Sequence, residues 1–69
     1  MPLTMAPSGE INTVKRINGK DETKRFLESL GFAEGGQVQV ITKSGGNLIV
    51  NVKDTRIALS QSMANQILV

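Results

Sequence analysis

Apolar positions along this 69-residue chain repeat at two spacings, and the change from one to the other divides it into elements. From Gln37 onward the spacing is two. Val38 and Val40, then Leu48, Val50 and Val52, then Ile57 and Leu59 alternate with other residues, which lines one set of side chains along one face of a strand. Gly45-Gly46-Asn47 separates the first two runs, and Lys53-Asp54-Thr55 separates the next two. Tight hairpin turns need positive φ at their centre, which glycine supplies at no steric cost. Three antiparallel strands in a meander are therefore predicted. Thr42 continues the face of Val38 and Val40; Ile49, Asn51 and Lys53 lie on the opposite face; Ile41 and Ile49 are exposed.

Upstream the spacing becomes helical. Phe26, Leu27 and Leu30 form one apolar stripe, with Lys24, Arg25, Glu28 and Ser29 around the outside. Asn18-Gly19 marks a turn before the stripe, and Asp21 is the predicted N-cap, its carboxylate accepting from the free amides of the first turn. Glu22 follows near the positive end of the helix dipole. Gly31 comes directly after the last apolar residue, where a left-handed closing residue belongs. Phe32 then turns back toward the helix, and Gly35-Gly36 gives a second reversal into the strand at Gln37. A helix of about ten residues is too short to hold without tertiary packing, so this corner must be covered by the rest of the chain.

The ends complete the outline. Leu3 and Met5 belong to a docked segment that leads into a Ser8-Gly9 turn. Glu10–Ile17, rich in β-branched residues, reads as one strand, bulged or bent near Asn12 because Ile11 and Val14 are not two apart. Ser60 can cap a single helical turn containing Met63 and Ala64. Ile67-Leu68-Val69 is a short strand beside the first, which closes the exposed edges. The predicted fold is mainly β: a small, partly open SH3-like barrel of about five strands, with one inserted short helix and a short helical turn near the C-terminus. A single domain spans residues 1–69.

Composition narrows the chemistry. With neither cysteine nor histidine, there is no disulfide and no soft-metal staple, so a thin core has to be aliphatic. Absence of cysteine fits a reducing, cytoplasmic setting. No apolar run approaches the roughly 20 residues that cross a bilayer, and the first residues lack a basic leader, so neither membrane insertion nor secretion is expected. A net charge of +2 is a mild bias.

Catalysis would have to rest on serine or threonine with a lysine or carboxylate base, and Ser60 and Ser62 read as turn and cap residues instead. Glu10, Asp21, Glu22, Glu28, Glu34 and Asp54 are scattered, with no pair placed as acid and base and no Asp-rich loop for a hard cation. No catalytic residue, metal ligand or cofactor site is expected. Gly31, Gly35 and Gly36 precede a strand and lack the following Gly-Lys-Ser/Thr of a phosphate loop. Lys15, Arg16, Lys20, Lys24 and Arg25 form either a basic patch or a solvated face. Nucleic-acid binding also calls for stacking aromatics. The two that exist, Phe26 and Phe32, are assigned to the core, although one edge of Phe32 is left outward. An SH3-type proline-peptide groove lacks its tyrosine and tryptophan. A small interaction module remains.

The order Leu30-Gly31-Phe32, Gly35 or Gly36, Val38-Gln39-Val40, Gly46-Asn47-Leu48-Ile49-Val50-Asn51-Val52 and Arg56-Ile57-Ala58-Leu59 resembles the FeoA family of bacterial ferrous iron transport. Pro7-Ser8-Gly9, Ala64 and Ile67-Leu68-Val69 resemble that family's ends, so the likeness spans nearly the whole chain. It implies an SH3-like barrel without enzymatic activity, acting in the cytoplasm beside the FeoB permease, a membrane protein with a cytosolic GTP-binding domain. A related barrel forms the C-terminal domain of iron-dependent repressors, where it makes intramolecular protein contacts; a repressor reading would need the repressors' DNA-binding and dimerisation regions to be supplied elsewhere. The alternative is a small nucleic-acid-binding or metal-regulatory module. On the docking reading, the partner surface is expected at the outer face of the helix and its exit, Arg25, Glu28, Ser29 and Phe32, together with Asn47, Ile49 and Arg56. Charge reversal at Arg25 and Arg56 is expected to weaken it. Exposed Ile41 and Ile49 would suit a weakly associating second copy equally well.

Overall fold

A computed structural model describes residues 1–69. A 3₁₀ turn at Leu3–Met5 is followed by β1 (Ile11–Thr13), β2 (Arg16–Ile17), α1 (Asp21–Ser29), β3 (Gln37–Ser44), β4 (Asn47–Val52), β5 (Thr55–Ser60), the single-turn α2 (Gln61–Ala64) and β6 (Ile67–Leu68). The meander forms as its alternation predicts. Strands β1, β3, β4 and β5 make an antiparallel four-stranded sheet in the order β1-β3-β4-β5, and β2 pairs separately with β6. Gly45-Gly46 closes the β3–β4 hairpin at φ +55° and +83°, the doubly positive geometry that suits a two-residue turn between twisted strands. At the β4–β5 turn the same conformation is imposed on side-chain-bearing residues, Lys53 at φ +49° and Asp54 at +61°.

Six strands form where about five were expected, because Glu10–Ile17 is two strands rather than one. The break falls at Val14–Lys15 and not near Asn12. Val14 exchanges hydrogen bonds with the β3 lead-in, donating to the Gly36 carbonyl at 2.8 Å and accepting from the Gly35 N–H at 2.8 Å, whereas the Lys15 N–H donates to Leu68. The chain changes partner between those two residues, so the bend is tertiary in origin. A bulge does occur, in β3: Val40 faces Val50, and the next pair is Thr42 with Ile49. The extra residue, Ile41, reverses the phase. Thr42 is therefore exposed instead of continuing the buried face, and Lys43 turns to the inner side, where its Nζ donates to the Thr4 carbonyl at 2.9 Å.

Side chains from every part of the chain share one apolar core, aliphatic except for Phe32: Val38, Val40, Leu48, Val50, Val52 and Leu59 from the sheet, Leu27 and Phe32 from the helix corner, and Leu3, Ala6, Val14, Ile17, Ala64, Ile67 and Val69 from the flanking segments. No side-chain polar atom is left buried without a partner. Ser60 caps α2 as predicted, its Oγ accepting from the Met63 N–H at 3.3 Å.

Candidate interaction surface

The helix corner is built by its closing residues. Leu30 is the C-cap that follows α1, Gly31 takes φ +108°, the Gly31 N–H donates to Glu28 at 3.0 Å and the Phe32 N–H to Leu27 at 3.1 Å. This paired arrangement satisfies carbonyls the helix would otherwise leave open, and it brings the residue after the glycine onto the last turn. Phe32 and Leu27 are accordingly both 0% exposed. The predicted outward edge of Phe32 does not exist, because the cap folds the whole ring under the helix.

Phe26 departs from expectation in the other direction. The apolar stripe places it in the core, and it is 49% exposed. Phe26 and Leu27 lie about 100° apart around the helix axis, and a helix resting on so small a barrel buries one narrow line, that of Leu27, with Leu30 only half-buried. At the other end, Lys20 and not Asp21 is the N-cap: the Lys20 carbonyl accepts from Lys24 at 3.0 Å, so Asp21 is already inside the first turn and makes no capping hydrogen bond. Asp21 and Glu22 still lie where the helix dipole favours acids.

The register defines the outer face of the sheet. Ile11, Gln39, Asn51 and Arg56 follow one another across its four strands, Asn51 being opposite Arg56. In the next row Ile49 lies between Thr42 and Ala58, and beyond it Asn47 lies between Ser44 and Ser60. Ile41 and Ile49, expected to be exposed, are half-buried among these neighbours, while Ile11 is 64% exposed. Next to Ile11 a shallow depression of about 460 Å³ opens, lined also by Gln37, Gln39, Asn51 and the Lys53-Asp54 turn.

The seven predicted partner residues fall into three groups. Arg25, Glu28 and Ser29 are exposed on α1, where Ser29 Oγ donates to the Phe26 carbonyl. Asn47, Ile49 and Arg56 come together on the outer face of the sheet. Phe32 is in the core and joins neither group. Ile11 and Ala58 on that outer face were missed, since Ile11 belongs to a strand whose partner is distant in sequence and only the register places it beside Gln39. No three or more aspartate, glutamate, cysteine or histidine side chains converge on one point, and no helix is long and apolar enough to cross a membrane.

A mainly β, SH3-like architecture with a helix set into it, displaying open surfaces around an aliphatic core, defines a small SH3-like domain. The FeoA domain profile matches residues 1–69 in full. A protein of Methanocaldococcus jannaschii named Fe(2+) transport protein A is 32% identical over 68 residues, covering 99% of this chain and 83% of its own length. The crystal structure of Stenotrophomonas maltophilia FeoA complexed with zinc, described as a prokaryotic SH3 domain protein, superimposes with a TM-score of 0.85 at 31% identity, over 99% of this chain and 87% of that one. A manganese-dependent transcriptional repressor shares the fold, with a TM-score of 0.87 at 21% identity over 97% of this chain and 39% of its own. The chain belongs to the FeoA family.

Proposed function

We propose that this protein is a non-enzymatic, cytoplasmic accessory protein of ferrous iron transport, which docks on the cytosolic GTP-binding part of a FeoB-type permease and modulates Fe(II) uptake. The observation that carries this reading is the match of the whole chain to the FeoA domain. The fold agrees with it. An SH3-like domain offers open surfaces for binding, and function belongs to such surfaces more than to the fold itself.

Two measurements test the proposal together. Deleting the gene is expected to alter uptake of radiolabelled Fe(II) by whole cells, and complementation is expected to restore it. Titration calorimetry with the purified cytosolic domain of the permease is expected to show saturable one-to-one binding. Wild-type uptake in the deletion strain, with no heat of binding, would overturn it.

A further inference from the structure

We infer that the docking surface is the outer face of the four-stranded sheet, and that its occupant is a different protein presenting an apolar patch with a carboxylate opposite Arg56. The inference rests on the docking reading above and assigns it a place. Three observations carry it. First, charge is nearly absent from this face. Its outward positions are threonine, serine, asparagine, glutamine, alanine and isoleucine, with Arg56 the single ionic group. The bulge at Ile41 contributes to this by turning Lys43 to the opposite side, against Thr4. Surfaces buried between proteins share the scarcity of lysine, aspartate and glutamate and the presence of arginine, although not the serine and alanine found here.

Second, the face presents apolar area where a solvated sheet would be polar. Ile11 is largely exposed, and Ile41 and Ile49 are partly so. Charges stand at its rim instead, at Lys53 and Asp54 beside the depression next to Ile11. Third, the competing surface has the opposite character. The exposed positions of α1 are Asp21, Glu22, Lys24, Arg25, Phe26, Glu28 and Ser29, so charges of both signs surround its one exposed apolar side chain, Phe26.

Charge also selects the occupant. A second copy of this chain would bring another Arg56 and, apart from Asp54 at the rim, no carboxylate to meet it. A partner with an apolar patch and an acidic residue covers the isoleucines and neutralises the guanidinium, which is well suited to bidentate pairing.

The test uses Arg56→Glu and Ala58→Glu, both at exposed positions where folding is not at stake, against Arg25→Glu on the helix. In calorimetry with the permease cytosolic domain, the two sheet variants are expected to lose roughly tenfold or more in affinity and the helix variant to stay within about twofold of wild type. Sheet variants that bind as wild type, or a loss confined to Arg25→Glu, would overturn the inference and leave the docking reading standing. If the wild type does not bind that domain, the docking reading falls. Whole-cell Fe(II) uptake then decides: loss with both sheet variants and not with Arg25→Glu upholds the face for another acidic protein, and wild-type uptake in both rejects it. A wild-type dimer in light scattering that Ala58→Glu converts to monomer would make the occupant a second copy and overturn the choice of partner.

Discussion

Replacing Gly31 with alanine isolates the cost of the helix-to-strand corner, because little besides backbone torsion opposes the change. A Cβ at this position would lie 3.4 Å from Lys53 Cδ and 3.7 Å from Lys53 Cγ and Val52 Cγ2, ordinary van der Waals contacts, the nearer being with a flexible side chain. The backbone, however, is at φ +108°, beyond the narrow left-handed region that residues with a Cβ tolerate. Holding such a residue there costs about 1–3 kcal/mol. Alanine recovers about 0.4–1 kcal/mol by restricting the unfolded chain, which leaves a net loss of about 1.5 kcal/mol at the middle of the two ranges. For a domain of this size that lowers Tm by roughly 5–15 °C. Without tryptophan or tyrosine, urea unfolding is best followed by far-UV circular dichroism. The Lys53→Ala background separates torsion from crowding: a torsional cost stays the same within about 0.5 kcal/mol when Lys53 is trimmed. A loss below about 0.5 kcal/mol, or one that disappears in Lys53→Ala, would refute the torsional account.

Two further outcomes follow from burial and capping. Phe32→Ala removes a wholly buried ring and is expected to cost about 3–5 kcal/mol, whereas Phe26→Ala, half in solvent, should cost about 1 kcal/mol or less, both measured by urea unfolding; similar losses for the two would contradict the separation of core from surface. Ser60→Ala removes the acceptor of the Met63 N–H and should destabilise by about 1 kcal/mol, seen as faster amide exchange in Gln61–Ala64.

What could be read from the sequence was what local chemistry decides. The β3–β4–β5 meander, the two-residue turns, the cap at Gly31 and the Ser60 turn each rest on residues within a few positions of one another. The misreadings share a different origin. The break at Val14–Lys15 exists because two distant strands compete for neighbouring residues, and no glycine or proline marks it. The bulge at Ile41 inserts one residue into an apparently regular run and reverses everything after it. Phe26 and Leu27 are equally apolar, and only the width of the surface beneath the helix decides which one is covered. The candidate surface suffered most from this. Asn47, Ile49 and Arg56 are expected there on the docking reading, whereas Ile11 joins their face through a pairing with Gln39 that no local pattern announces.

The two ends of the chain meet at one seam. The Met1 ammonium donates to the Val69 carbonyl at 2.8 Å, the Val69 N–H donates to the Met1 carbonyl at 2.8 Å, Pro2 bridges to Leu68, and Ile17 pairs with Ile67. Synthesis delivers Ile17 and its partner Ile67 some fifty residues apart. The meander can pair as soon as it emerges, but β2 waits through some fifty residues of synthesis for its only strand partner. Until Ile67–Val69 are free, Leu3, Val14 and Ile17 lack part of their cover. Of the strand pairings, that of β2 with β6 therefore spans the longest stretch of sequence.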